Sequence, residues 1–140
     1  IYRRVEVFFC NIEEARRILG TSEEDVKKLL SQMNKLGPRI VVITDGPKGA
    51  YASDGREMLF MPAYPDPKPP YERTGAGDAF SSTFTVALAL GMDIKDAIRW
   101  APINSMSVVQ QVGARAGLLS RKKLEAYLAE APADYKPKPI

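Results

Sequence analysis

The chain has 140 residues, 45% of them hydrophobic, and carries 20 basic and 17 acidic side chains for a net charge of +3. This length suits one hydrophobic core, and the interspersed charges form no basic stripe that would favour nucleic acid. One cysteine excludes an internal disulfide, the absence of histidine excludes imidazole catalysis, and no apolar run approaches the length of a membrane span. We therefore expect a cytoplasmic protein without nucleic-acid or membrane partners, whose acid–base chemistry depends on carboxylates.

The first third of the chain predicts one strand and two helices. These are a strand at Val5–Phe9, a helix from Asn11 or Ile12 to Leu19, and a second helix capped by Thr21 or Ser22 and ended by Gly37-Pro38. The first residue is Ile rather than Met, and the chain enters the predicted core strand almost at once. We therefore expect a segment of a larger protein.

The middle of the chain predicts sheet structure. Residues Arg39–Thr44 form a β-branched run typical of a strand buried on both faces. The tight-turn pair Asp54-Gly55 lies between two short apolar runs, Ala50–Ser53 and Met58–Met61, which predicts a β-hairpin. Five prolines between Pro62 and Pro70 predict an extended loop.

The last half of the chain predicts three helices and a tail. The helices run from near Gly77 to Gly91, from the cap Asp93 past a Pro102 that should kink or interrupt it, and from the cap Ser120 over Arg121–Glu130. The Pro- and Lys-rich residues 131–140 predict a loose surface tail. Strands alternating with helices and then a helical end predict a three-layer α/β fold, with helices on both faces of a sheet.

The segment Thr74–Phe80 brings a Gly-rich turn, a carboxylate and the start of an apolar helix within seven positions. Gly75 and Gly77 let backbone N–H groups approach an anion, and the helix adds the positive end of its dipole. Asp78 can accept a proton. This combination is typical of phosphoryl transfer.

Three motifs resemble those of the ribokinase-like (PfkB) carbohydrate and nucleoside kinases. Residues 72–80, Glu-Arg-Thr-Gly-Ala-Gly-Asp-Ala-Phe, resemble the family signature D-T-x-G-A-G-D-x-F. Residues 11–15 resemble its N-x-x-E motif, and residues 44–50 resemble its T-x-G-x-x-G-A strand and turn. The resemblance covers nearly the whole chain and implies that residues 1–140 are the C-terminal, nucleotide-binding and catalytic half of a ribokinase-like, Rossmann-like domain.

The resemblance also implies roles for individual residues. Asp78 would be the catalytic base, and the backbone N–H groups of Gly75, Ala76 and Gly77 would form the anion hole. Asn11 and Glu14 would organise Mg²⁺, mainly through water, because this ion dehydrates reluctantly. The remaining implied positions contact ATP: Thr44, Gly46 and Gly49 on the phosphate and ribose side, and Asn104 and Gly113, with Val109, at the adenine wall.

Each of these positions also has a purely structural interpretation. Asp78 could simply complement the helix dipole, and Asn11 with Glu14 could form an ordinary helix N-cap. Asp45-Gly46 could be a plain tight turn, and apolar residues at helical spacing near Asn104 could simply be core. The sequence leaves these alternatives open.

The leading functional hypothesis is ATP-dependent phosphoryl transfer to a hydroxyl of a sugar, sugar acid or nucleoside. The alternatives are a nucleotide-binding or regulatory module without transferase activity and a hydroxymethylpyrimidine-type kinase. Glu72 stands where the signature has an Asp that often helps hold a monovalent cation in relatives, and Arg73 replaces a small residue, so K⁺ dependence is uncertain. The edge of the sheet at Val5–Phe9 predicts self-association or pairing with a missing N-terminal half.

Overall fold

The computed structural model describes residues 2–113 and 115–140, which form five strands and five α-helices. The strands are β1 (Val7–Asn11), β2 (Ile40–Thr44), β3 (Ala50–Ser53), β4 (Met58–Met61) and β5 (Lys138–Pro139). The helices are α1 (Ile12–Leu19), α2 (Val26–Leu36), α3 (Ala76–Ala89), α4 (Ile94–Val109) and α5 (Arg121–Ala129). No helix in the described residues is long and apolar enough to cross a membrane.

The chain divides into two compact units. The first contains the residues up to Met61 together with Lys138–Ile140, and the second is Pro62–Pro137. The first unit holds a sheet whose strand order is β1-β2-β3-β4-β5. β1 and β2 are parallel, whereas the remaining neighbours are antiparallel, so the predicted hairpin around Asp54-Gly55 is confirmed.

In the first unit, α1 and α2 pack against β1 and β2. Side chains from both helices join strand residues in one buried cluster: Cys10, Ala15, Leu29, Leu30, Met33, Val41 and Ile43. The strand β2 is buried along Ile40–Ile43, as its β-branched sequence predicts. Gly20 ends α1 in the left-handed conformation at φ 62°, which a glycine adopts without steric cost.

In the second unit, α3 and α4 make the most extensive helix–helix contact. Phe80 and Phe84 of α3 are buried, and their rings stack at 6.5 Å between centroids. The guanidinium of Arg121, at the start of α5, lies 5.8 Å from the centre of the Trp100 ring of α4. Aromatic and aliphatic packing therefore holds the three helices of this unit together.

Three sequence predictions need correction. The first strand covers Val7–Asn11 rather than Val5–Phe9, so Asn11 ends the strand as well as capping the next helix. The second helix begins at the cap Asp25 rather than at Thr21 or Ser22, because side chains of Thr21 and Glu23 bond nearby backbone N–H groups in turns that compete with helix. The third concerns α4, which runs through Pro102 without the predicted interruption, while a kink at Pro102 stays a prediction.

The prediction of a loose tail at 131–140 is also wrong. Tyr135 is only 3% exposed, and its hydroxyl donates to the backbone oxygen of Arg99 at 2.6 Å. The last residues form β5 beside β4, and Ile140 N–H donates to the Met58 oxygen at 3.0 Å. The proline and lysine content predicts a loose tail, but the buried ring of Tyr135 provides the apolar contact that orders the segment.

Candidate active site

The Gly-rich turn forms the N-terminus of α3. Gly75 is the N-cap residue with φ 82°, a left-handed conformation that favours glycine, and no side chain caps the helix there. Its carbonyl accepts the first helical bond from Ala79 N–H at 2.9 Å. Because Ala76 N–H donates to Arg73 O at a long 3.3 Å, it is only weakly engaged. The first turn of a helix leaves N–H groups without helical acceptors, so this end offers donors to an anion.

Gly77 lies in the first turn of α3 and is exposed. A Cβ placed on Gly77 would meet no atom within 4 Å, and the φ angle of Gly77 is not positive. Neither packing nor backbone conformation therefore requires glycine at this position, although glycine weakens a helix relative to alanine. Asp78 follows it and is also exposed, so a carboxylate lies directly beside the open backbone.

Polar side chains of α4 hold the start of α3. Ser105 donates its hydroxyl hydrogen to Ala76 O at 3.0 Å. Asn104 is 7% exposed; its amide donates to Thr83 Oγ1 at 2.8 Å, and its Oδ1 accepts from Leu119 N–H at 3.0 Å. Both ends of the Asn104 amide are thus bonded inside this unit, and its contact with a nucleotide stays a prediction.

The segment before the Gly-rich turn is tied to the end of α4. Gly113 N–H donates to Glu72 Oε1 at 2.8 Å, and Tyr71 N–H donates to Val109 O at 2.8 Å. Gly113 has φ 89°, which favours glycine, and it is exposed. The structure therefore joins Glu72 and Gly113, which the sequence presented as separate features.

In the first unit, the predicted metal-binding and nucleotide-binding motifs begin at the carboxyl ends of two neighbouring strands. Asn11 and Thr44 are partners in the register of the parallel strands β1 and β2, and both end their strands. Ligands in open α/β sheets bind beyond the carboxyl ends of the strands. The predicted metal-binding and nucleotide-binding motifs therefore begin side by side.

Asn11 and Glu14 form a reciprocal capping box at the start of α1. Glu14 N–H donates to Asn11 Oδ1 at 2.8 Å, and Asn11 N–H donates to Glu14 Oε2 at 2.9 Å. This is the structural alternative that the sequence left open, and it occupies one oxygen of each side chain. Both residues are exposed, and a carboxylate has a second oxygen, so the box is compatible with a further ligand.

The turn after β2 is compact. Asp45 N–H donates to Gly49 O at 2.9 Å, closing a loop that contains a short 3₁₀ turn at Gly46–Lys48. Gly46 and Gly49 have φ of 53° and 123°, both in the range that favours glycine. A Cβ on Gly46 would meet nothing within 4 Å, so this loop also presents open backbone.

The described residues contain no cluster of three or more Asp, Glu, Cys or His side chains able to hold a metal. Asn11 and Glu14 fit a Mg²⁺ ion only if water and phosphate oxygens supply most of its ligands, which is how this ion is commonly held. Cys10 is adjacent but buried, and burial, followed by the charge of Glu14, raises the pKa of its thiol to about 12. Cys10 is therefore a neutral core residue.

The structure thus groups the predicted residues by unit. Asn11, Glu14, Thr44, Gly46 and Gly49 lie at one end of the sheet in the first unit. The second unit holds the Gly75–Asp78 turn together with Asn104 and Gly113. Sequence reasoning missed Ser105, whose hydroxyl bonds the carbonyl of Ala76 in the turn, and Thr83, which accepts a hydrogen bond from Asn104. Small hydroxyl residues inside helices give no pattern that marks such a role.

The motifs and the mixed sheet with its helices together define the class of protein, an α/β protein with phosphotransferase-like motifs. Comparison with known proteins makes this specific, because the sequence profile of the pfkB family carbohydrate kinases matches residues 1–121. The chain belongs to the pfkB family.

Individual relatives agree with this assignment. The chain is 36% identical to the ribokinase of Bacillus subtilis over 100 residues, which are 71% of this chain and 33% of that protein. It is 35% identical to the cytidine kinase of Thermococcus kodakarensis, over 81% of this chain and 40% of that protein. The chain therefore spans between a third and two fifths of the length of these relatives.

Solved structures confirm the fold prediction. The Arabidopsis thaliana ribokinase, solved with ribose and ATP, superposes with a TM-score of 0.82 at 26% identity. The match covers 91% of this chain and 42% of that one. The chain is therefore a partial domain of the ribokinase fold.

Proposed function

We propose that this chain is the C-terminal, nucleotide-binding and catalytic half of a kinase that transfers phosphate from ATP to a hydroxyl of a sugar, sugar acid or nucleoside. The observation that carries the proposal is the start of α3, where Gly77 leaves the backbone open beside the exposed Asp78. The family relationship and the named relatives, a ribokinase and a cytidine kinase, support the class of reaction.

In this proposal Asp78 accepts the proton of the acceptor hydroxyl as its oxygen attacks the γ-phosphorus. The bond between the γ-phosphorus and the bridging oxygen breaks, and ADP leaves with that oxygen. A carboxylate is the base available, because the sequence contains no histidine. Exposure of Asp78 at the helix start is what access to a substrate hydroxyl requires.

The backbone N–H groups of Gly75, Ala76 and Gly77 are proposed to stabilise negative charge on the phosphoryl oxygens. Donors of this kind act best where charge develops, and the dipole of a 14-residue helix adds to them. Ser105 supports the arrangement because its hydroxyl bonds the carbonyl of Ala76. We assign Ser105 a positioning role.

Asn11 and Glu14 are proposed to hold Mg²⁺ mainly through water, with the second carboxylate oxygen of Glu14 facing the hydration shell of the ion. When bound, the ion would neutralise phosphate charge. Thr44, Gly46 and Gly49 are proposed to contact the ATP phosphates and ribose through the open turn after β2. Asn104 and Gly113 are proposed to lie at the adenine side, with Asn104 contributing its carbon surface because its amide is already bonded.

The test is phosphoryl transfer by the complete gene product, measured as acceptor-dependent ADP formation with Mg²⁺. Ribose, fructose, fructose 6-phosphate, cytidine and hydroxymethylpyrimidine serve as acceptors. We expect turnover with a sugar or nucleoside. Turnover with hydroxymethylpyrimidine alone would support the related kinase class, and ATP binding with no turnover on any acceptor would favour a regulatory module.

We also propose that the edge of β1 pairs with another strand. Among the described strands β1 contacts only β2, and an open parallel edge presents backbone donors and acceptors to a partner. The occupant is a second copy of the chain or the missing N-terminal half. Light scattering of the 140-residue chain should reveal a concentration-dependent dimer. A monodisperse monomer with full kinase activity would contradict both this pairing and the assignment of the chain as half of a catalytic domain.

A further inference from the structure

The second unit contains a hollow of about 430 Å³ away from the Gly-rich turn. The start of α4, the end of α5 and the segment that follows α5 form its walls. Its lining combines polar residues, among them Arg99 and Lys136, with apolar residues such as Leu128 and Pro132. This volume lies within the range of small-molecule sites.

The charge of the lining is predominantly positive. Three cationic residues, Lys95, Arg99 and Lys136, line the hollow together with a single carboxylate residue, Asp96. Asp96 and Lys136 are exposed, whereas Arg99 is partly buried. Because charges at a partly enclosed surface are screened less than exposed ones, this arrangement favours a ligand with negative charge.

Arg99 gives an independent indication of a ligand. Its Nε is buried and has no hydrogen-bond partner among the described residues. A buried charged donor without an acceptor is costly, and an anion in the hollow would offset part of that cost through its charge, even without a direct bond to Nε. A guanidinium presents paired N–H donors that match the oxygens of a phosphate group.

The wall beside Arg99 is fixed in place. Tyr135 is buried and donates its hydroxyl hydrogen to the backbone oxygen of Arg99 at 2.6 Å. The ring of Tyr64 packs edge-on against Tyr135, with 4.9 Å between ring centroids. The hollow is therefore a formed feature of the packed unit.

The hollow is separate from the proposed catalytic groups. Arg99 lies in the second turn of α4, and Val109 ends that helix ten residues later. A rise of 1.5 Å per residue puts roughly 15 Å between them along the helix axis. Within the Gly-rich turn, Ala76 O is bonded to Ser105, about 9 Å along the helix axis from Arg99, and the preceding Tyr71 and Glu72 are bonded to Val109 O. No residue of the turn lines the hollow.

We propose that this hollow is a second anion site that binds a small phosphate monoester, with Arg99 and Lys136 holding the phosphate oxygens. A doubly charged phosphate group matches two cations better than a single carboxylate does. The apolar surface of Leu128 and Pro132 accommodates a compact carbon body.

The test is a titration of the ¹⁵N-labelled chain with glycerol 3-phosphate, and separately with inorganic phosphate, followed by NMR at constant ionic strength. We expect saturable amide shifts in Lys95–Arg99 and Ala131–Lys136 with both probes, and tighter binding of glycerol 3-phosphate. Lys136→Ala, a change at an exposed residue, should weaken binding about tenfold, the effect of losing one charge-assisted hydrogen bond. Arg99→Met should abolish it.

Two controls separate this site from the catalytic one. Lys122→Ala removes an α5 lysine that does not line the hollow, and it should leave the titration unchanged. Gly77→Val obstructs the proposed anion hole and should also leave these shifts unchanged. Shifts confined to Gly75–Asp78, or shifts that never saturate, would overturn the proposal. So would Arg99→Met and Lys136→Ala variants that bind the probes as tightly as the unaltered chain does.

Discussion

Gly113 N–H donates to Glu72 Oε1 at 2.8 Å, which ties the residue that departs from the family signature to the loop after α4. The longer side chain of Glu reaches this N–H donor from the start of the signature. The carboxylate that the family resemblance assigns to a monovalent-cation site is thus bonded to a backbone N–H of the same unit. The bond supplies a physical reason for the departure from Asp.

We expect the reaction rate to depend less on K⁺ than it does in a relative with Asp at this position. The reason is that the Glu72 carboxylate is displaced toward Gly113. The measurement is turnover against K⁺ concentration at constant ionic strength, with Glu72→Asp as the matched variant. Glu72→Asp should increase K⁺ activation; steep activation of the unaltered protein would show that Glu72 still completes a cation site.

Gly77→Ala should separate stability from function. We expect the free energy of unfolding to stay constant or to rise by up to about 1 kcal/mol, because alanine favours helix and its Cβ meets no atom within 4 Å. ATP affinity and turnover should both fall, since the Cβ occupies the space proposed for phosphate. Urea unfolding and ATP titration of the same variant provide the comparison.

Gly117→Ala is the matched control for that variant. A Cβ there would overlap the backbone oxygen of Ser107, so we expect destabilisation of about 1–3 kcal/mol. An active Gly77→Ala variant with unchanged ATP affinity would contradict the proposed anion hole at the start of α3.

Much of this fold follows from local sequence rules. The β-branched run of β2, the Asp54-Gly55 hairpin and the caps Asp93 and Ser120 are confirmed because neighbouring residues determine them. The bonds between Glu72 and Gly113 and between Ser105 and Ala76 join residues far apart in sequence. Periodicity and turn preferences carry no information about such pairs, so the support of the candidate site could not be predicted.

The order of the C-terminal segment should depend on Tyr135. Tyr135→Phe removes the hydroxyl bond to Arg99 O, and we expect a loss of about 1 kcal/mol in unfolding free energy. Tyr135→Ala also removes the buried ring and should cost about 3–5 kcal/mol. Urea denaturation measures both. An alanine variant as stable as the parent would mean that residues 131–140 are a loose tail after all.

Cys10 should make stability fall at high pH. Its thiol has a pKa raised to about 12 in the folded chain, above its ordinary value of 9.0, mainly by burial. The neutral thiol is therefore fully compatible with folding below about pH 9, and stability is lost between pH 9 and 12 at a slope approaching 1.4 kcal/mol per pH unit.

Urea unfolding between pH 7 and 10.5 measures this loss, and Cys10→Ala provides the reference without a thiol. The variant should show a shallower decline with pH than the parent. A thiol reagent at pH 8 should also react slowly with the native chain and quickly with the unfolded one. Equal pH profiles, together with rapid native labelling, would show that Cys10 is accessible and ionises normally.

The most direct test of the proposed chemistry is Asp78→Asn in the complete gene product. The amide keeps the shape of the side chain but cannot accept the acceptor's proton, so we expect kcat to fall by about 10²–10⁴-fold. The Kd for ATP, measured by calorimetry, should stay nearly unchanged, because the proposed base contacts the acceptor hydroxyl and not the nucleotide. Retention of full turnover, or an equal loss of ATP binding and turnover, would contradict the assignment of Asp78 as the catalytic base.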